Sequence, residues 1–254
     1  MSDPWILRLG QVPDAAATSL FCFPYAGGGA AVFRKWQPLL APAAVLPVQL
    51  PGRGTRLAES PRTRVLDLAR ELAETLMPSL SARYALFGYS LGALIAFELA
   101  RELRRRGAPA PGHLFACARR APCLPEDDRR AHDLPDAAFV EEVGRRYEAI
   151  PAEVAGEPEL MRLLLPALRA DFEMLETYGY REDEPLDCPI TAIAGIDDPR
   201  ATEREIEGWE RETRVGFSIR RFPGGHFFFR DHERTVAELV RGELEVGAPQ
   251  AARS

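Results

Sequence analysis

The stretch Gly88-Tyr89-Ser90-Leu91-Gly92 decides how this chain is read. Before it runs an apolar, strand-like segment, Tyr84-Ala85-Leu86-Phe87, and after it a helix-like one, Ala93-Leu94-Ile95-Ala96-Phe97-Glu98-Leu99. A serine at a sharp strand-to-helix turn is held in a strained backbone conformation that lifts its hydroxyl above the end of the sheet. The residues two before and two after must be small, because strand and helix backbones nearly touch there. Glycine at 88 and 92 meets that need. A bare G-x-S-x-G would also fit an ordinary glycine-rich turn. The flanking strand and helix favour an exposed nucleophile.

Outward from this point, short apolar runs alternate with longer amphipathic ones. Residues 19–24, 45–50, 84–87, 113–118, 189–194 and 217–222 read as strands. Residues 30–40, 65–76, 203–212 and 233–244 read as helices, as does the run from the serine to about Gly107. In the second of these, Val65, Leu68, Leu72 and Leu76 recur at helical spacing. Such interleaving predicts an α/β fold with a mostly parallel central sheet and helices on both faces. The alternation stops between Pro122 and Pro185. There Phe139, Val143 and Tyr147 keep a helical period, and Leu160 to Tyr178 forms a second helical run. This is a helical insertion at about 122–185 within a single domain of residues 1–254. It would lie over the carboxyl ends of the strands, as a lid or as a decoration without a gating role. Residues 246–254 read as a frayed tail.

The chain has 254 residues, a net charge of −6 and 46% apolar residues. That composition excludes global disorder. The acidic balance argues against nucleic-acid binding, which needs basic excess to neutralise phosphates. Four cysteines, at 22, 117, 123 and 188, form no C-x-x-C pair. Cys22, Cys117 and Cys188 sit in apolar runs and read as small buried hydrophobes in a reducing compartment, not as zinc ligands. Met1 to Trp5 shows no basic segment followed by an apolar core. The longest apolar stretch, near 84–97, is too short and too broken by glycine to span a bilayer. A cytoplasmic protein without membrane contact, and a monomer, is expected.

A serine hydroxyl is a weak nucleophile at neutral pH and needs a base, which in turn needs an orienting carboxylate. His113 starts a strand, His132 lies in the charged insertion, and His232 begins the last helix. His226 follows Pro223-Gly224-Gly225, directly after the last strand, where a base can swing over the sheet end. The carboxylate should follow the preceding strand. Ile193-Ala194-Gly195 ends it, and Asp198 lies three residues on, with Asp197 as its competitor. The chain order Ser90, Asp198, His226 is that of the α/β-hydrolase fold. For the developing oxyanion, the Leu91 amide is one donor. The Ala26 amide, in the loop Phe23-Pro24-Tyr25-Ala26-Gly27-Gly28-Gly29, is the second. Tyr25, Gly27 and Tyr89, beside these donors, are expected to contact substrate. A phosphate-cradling role for the glycines is weak, because no G-K-[ST] follows.

With these residues assigned, the chain resembles the type II (editing) thioesterases of polyketide and nonribosomal peptide synthesis. The resemblance runs from about residue 18 to 245. Phe23-Pro24-Tyr25-Ala26-Gly27-Gly28 is similar to the family's oxyanion loop. Gln49-Leu50-Pro51-Gly52-Arg53-Gly54, with Arg56 and Glu59, is similar to its P-G-R-x-x-R segment. Arg119-Arg120-Ala121-Pro122 resembles the entry to the lid, residues 164–172 resemble a lid helix, and Pro223-Gly224-Gly225-His226-Phe227 resembles the base loop. The resemblance implies hydrolysis of acyl thioesters from the phosphopantetheine arm of acyl or peptidyl carrier proteins, with no metal and no cofactor of the enzyme's own. Tyr89 departs from a common histidine and Leu91 from a common methionine. Arg146 to Pro151 lacks glycines often found there.

Lys35 is the only lysine, so basic surface means arginine. Arg101, Arg104, Arg105 and Arg106, with Arg119, Arg120, Arg145 and Arg146, offer a docking surface for an acidic carrier. The alternative is solvated helix faces. Under the docking reading, charge reversal at Arg105 and Arg106 weakens carrier binding most at low salt. Two rival functions fit the same fold: an esterase or lipase acting on free small molecules, and a non-catalytic binding module.

Overall fold

Six strands build the framework: β1 (Ser19–Phe23), β2 (Ala44–Pro47), β3 (Tyr84–Tyr89), β4 (Leu114–Cys117), β5 (Ile190–Gly195) and β6 (Phe217–Phe222). The structure is a computed structural model that describes residues 4–8, 18–125, 130–147 and 157–246. The spatial order is β2-β1-β3-β4-β5-β6, and every pairing between named strands is parallel. From β1 the chain steps to one side to form β2, then crosses to the other to form β3. The carboxyl ends of β1 and β3 therefore flank a topological switch point, where open α/β sheets bind ligands.

Seven helices are described: α1 (Trp36–Leu40), α2 (Val65–Leu76), α3 (Leu91–Arg105), α4 (Asp136–Tyr147), α5 (Pro158–Glu176), α6 (Glu203–Glu207) and α7 (Phe229–Val246). Side chains alternate between the two sheet faces along each strand. Phe21, Phe23, Leu86 and Ala116 pack on one face, with the apolar stripes of α2 and α3. Leu20, Cys22, Phe87 and Cys117 pack on the other, with Trp36, Leu40, Val236 and Val240. On α2 the buried set contains Val65, Leu68, Leu72 and Leu76, the residues whose spacing predicted the helix. Full burial of each contributes about 1.5–3 kcal/mol.

Several boundaries differ from the sequence reading. Residues 30–40 are not one helix but a 3-10 turn, Ala30–Phe33, followed by α1. Pro38 favours the break: within a continuous helix its ring would crowd the carbonyl four residues back, whereas in the first turn of α1 its missing N–H costs no intrahelical bond. The strand expected over 45–50 ends at Pro47, and Val48 instead bridges Ile6 in antiparallel fashion. The helix expected over 203–212 turns 3-10 from Gly208 onward. α7 starts at Phe229, so His232 sits at an internal kink rather than at the helix start.

α4 and α5 are inserted between β4 and β5. They form their own core from Phe139, Val143, Tyr147, Leu168 and Phe172, which also packs on Ala26 and Phe227. Glu176, near the end of α5, knits the insertion together. Its carboxylate accepts N–H bonds from Ala131 at 2.8 Å and His132 at 3.0 Å, and pairs with Arg146 at 3.2 Å. Residues 148–151 of the glycine-poor segment, and the tail beyond 246, lie outside the described residues.

Candidate active site

β3 runs into Ser90 and α3 leaves from it. Ser90 has φ 53° and ψ −112°, left-handed backbone that a non-glycine residue adopts only at a cost. Its N–H donates to the Cys117 carbonyl at 2.7 Å. A Cβ on Gly88 would lie 2.2 Å from the Gly92 carbonyl oxygen, and one on Gly92 would lie 2.1 Å from that of Phe23. The elbow is therefore open only to glycine at both positions.

Two loops at the sheet ends, after β5 and after β6, meet at this serine. His226 Nε2 lies 3.1 Å from Ser90 Oγ, and its Nδ1 lies 2.9 Å from Asp198 Oδ2. An ionised carboxylate can only accept, so the imidazole proton sits on Nδ1 and Nε2 is left to accept from the serine. The other Asp198 oxygen accepts the Arg200 N–H at 2.8 Å. Ser90, Asp198 and His226 are all buried, whereas Asp197 is exposed and its backbone N–H goes to Gly224. That separates the two aspartates which the spacing had left in competition.

α4 reaches the same place. The Tyr147 ring stands 5.0 Å from the His226 ring, and the Arg200 guanidinium lies over Tyr147 at 5.3 Å. A cavity of about 370 Å³ opens onto His226, with Tyr147, Phe227 and Arg230 in its wall.

The glycine loop after β1 is a tight turn. The Gly28 N–H donates to the Tyr25 carbonyl at 2.8 Å. Gly27 has φ +77° while Ala26 is outside the left-handed region, so the turn is type II, with Ala26 at its first central position. The Gly27 N–H donates to Asp171 Oδ2, on α5, at 2.7 Å. Arg53 grips the same carboxylate with both amino groups, one contact being Nη2 to Oδ1 at 2.7 Å, and gives a further bond to the Gly28 carbonyl at 3.3 Å. Burial disfavours the Arg53 charge, but Asp171 outweighs that and raises its pKa. Leu91 opens α3, where the first amides have no intrahelical acceptor.

Tyr89 is where the site departs from the sequence reading. Strand alternation turns it to the far face of β3, where it is fully buried. Its ring packs against Tyr25, Phe227 and Phe229, and its hydroxyl donates to the backbone carbonyl of His226. It supports the base loop and does not line open space. Tyr25 is half-buried, with edge contacts to Tyr89 and Phe227. Arg53, Tyr147 and Asp171 gained no role from the sequence. Only the motifs around Arg53 and Asp171 marked them, without saying that they meet.

Residues 18–244 match the family model of the thioesterase domain. Thioesterase PikA5 of Streptomyces venezuelae is 40% identical over 254 residues, covering 98% of this chain and 89% of that protein. A protein of Brevibacillus parabrevis named linear gramicidin dehydrogenase LgrE is 40% identical over 245 residues, covering 95% of this chain and 92% of its own length. Among solved structures, the type II thioesterase BorB from the borrelidin biosynthetic cluster matches with a TM-score of 0.86 at 36% identity. The match covers 96% of this chain and 98% of that one.

Proposed function

This chain belongs to the thioesterase family, as a type II thioester hydrolase of polyketide and nonribosomal peptide assembly, and from that premise we propose its substrate and mechanism. The substrate is an acyl group carried as a thioester on the phosphopantetheine arm of an acyl or peptidyl carrier protein, and the task is removal of stalled or wrong acyl groups. The observation that carries the reading is the chain of contacts Asp198–His226–Ser90, at 2.9 and 3.1 Å in a buried setting.

His226 Nε2 takes the Ser90 proton as Oγ attacks the thioester carbonyl. Asp198 holds the imidazole and stabilises its charged form. The amides of Leu91 and Ala26 receive the oxyanion, each donor being worth about 10²–10³ in rate. Collapse expels the pantetheine sulfur, which takes the proton back from His226 and leaves an acyl-serine. Water, deprotonated by His226, then attacks that ester and releases the acid. α4 and α5 roof the site as a lid and keep bulk water from the acyl-serine. No step needs a metal or a redox cofactor. Four free cysteines, three of them buried, fit a reducing, cytoplasmic setting. The name dehydrogenase carried by one relative finds no support here, since Val32 stands where a G-x-G-x-x-G run from Gly27 and Gly29 needs its third glycine.

The test compares acyl-carrier protein with a matched simple ester. Preference for the carrier-bound thioester is expected, with turnover falling roughly 10⁴–10⁶-fold in Ser90→Ala. Equal turnover of the free ester would make the protein a general esterase. Undiminished hydrolysis by Ser90→Ala would remove the serine mechanism.

A further inference from the structure

The Arg53–Asp171 pair is buried, at 6% and 0% side-chain exposure. A buried ion pair is a poor stabiliser compared with apolar residues of the same size. This one is not closed on itself. Asp171 also accepts the Gly27 N–H, and Arg53 also donates to the Gly28 carbonyl. Further along, the Ala30 N–H donates to Gln49 Oε1 at 3.3 Å, and Gln49 Nε2 donates to the Arg53 carbonyl at 3.1 Å. The turn from Tyr25 to Gly28 is thus held at one peptide group after another. Among the described residues, the N–H of Ala26 makes no such bond and is left as a spare donor.

The Gly27 contact matters most. The peptide joining Ala26 to Gly27 is the central unit of the turn and adjoins the Tyr25–Ala26 peptide, which carries the Ala26 N–H. By holding the Gly27 N–H, Asp171 anchors the Ala26 Cα between these two peptides, and so the place from which the Ala26 N–H points. α5 presses on the same point, because a Cβ on Gly27 would lie 2.9 Å from Leu168 Cδ1. We infer that Asp171, held by Arg53, is a positioning residue that couples the inserted helix α5 to the oxyanion loop, so that the Ala26 amide is aimed only while this part of α5 is docked. This rests on the Ser90–Ala26 site proposed above.

The experiment compares the parent with Asp171→Asn, and with the paired replacement Arg53→Met/Asp171→Leu, which strands no charge should the single change fail to fold. Hydrolysis of an acyl-pantetheine thioester gives kcat and KM. The inhibition constant of an alkyl boronic acid, whose adduct with a serine is tetrahedral, reads the oxyanion donors without turnover. In a folded variant, kcat should fall about 10–100-fold with KM within about threefold. Boronate affinity should fall in step, and the midpoint of the pH–rate profile should stay fixed, since His226 and Asp198 are untouched. A folded variant with parental kcat, or with lowered kcat but parental boronate affinity, would overturn the inference. Failure of the parent to turn over thioester would count against the proposed function instead, and boronate binding would still decide the role of Asp171.

Discussion

At the scale of single residues, Tyr89 shows how one side chain serves a neighbour's chemistry. Burial, reinforced by Cys117 and Asp198, pushes its phenol well above the ordinary value, so it remains a hydrogen-bond donor throughout the working pH range. Its acceptor is the carbonyl of the residue whose imidazole meets Ser90. Tyr89→Phe keeps the ring stack and removes only the hydroxyl. The expected result is a stability loss of about 1 kcal/mol, from a buried carbonyl left without its partner. A fall in kcat of roughly fivefold to tenfold should accompany it, as His226 loses a constraint. Chemical denaturation and steady-state kinetics on the same preparation measure both. Unchanged kcat would reduce Tyr89 to a packing residue.

At the scale of elements, α3 answers the question its arginines raised. Arg101 pairs with buried Glu98 and Arg104 with Asp183. Arg105 pairs with Glu102 and Asp183, and Arg106 with Glu102 and Glu74. Arg120, Arg145 and Arg146 likewise meet Glu205 or Glu142. The last turn of α3 is therefore stitched to α2 and to the chain entering β5. Its positive charge is balanced in place, which favours the structural reading over a carrier-docking surface. Exposed pairs of this kind contribute about 0–1 kcal/mol each. Reversing Arg105 and Arg106 together should lower the melting temperature by a few degrees and shift carrier affinity less than about twofold at low salt. Titration of carrier protein at two ionic strengths checks this, and a large loss confined to low salt would restore the docking reading.

At the scale of the whole molecule, His113 ties stability to pH. It is buried just before β4, stacked on Phe115 at 4.2 Å, with Nε2 2.8 Å from the Thr191 hydroxyl. Burial, with some help from Arg220, lowers its pKa to about 4. The unfolded value is near 6.5. Between those values the unfolded chain binds a proton that the folded one refuses. The stabilisation is therefore complete above about pH 6.5 and is lost as pH falls toward 4. By pH 5 the loss is on the order of 2 kcal/mol. Urea melts at pH 7.5 and 5.0 should show the parent losing more stability than His113→Gln over this interval. Equal losses would assign the acid sensitivity to other groups.

The amino-acid pattern by itself determined the sheet and the elbow, and it nominated Ser90, His226 and one of two adjacent aspartates for the candidate site. Period-two and period-3.6 spacing is local, and so are the glycines at 88 and 92 that a near-contact of backbones demands. Chain order alone could rank Asp198 and His226, because strand ends in this topology all rise to the same edge. What the tertiary structure decided was everything that depends on two distant segments meeting. Asp198 is buried and Asp197 is not, although they are neighbours in sequence. Tyr89 faces away from the crevice, under the base loop. Asp171 lies 118 residues from Arg53 yet closes on it, on Gly27 and so on the turn that carries Ala26. No spacing rule reaches across such a gap. A side chain's partners are fixed only when packing brings the elements together, and burial then sets which polar groups must be paired.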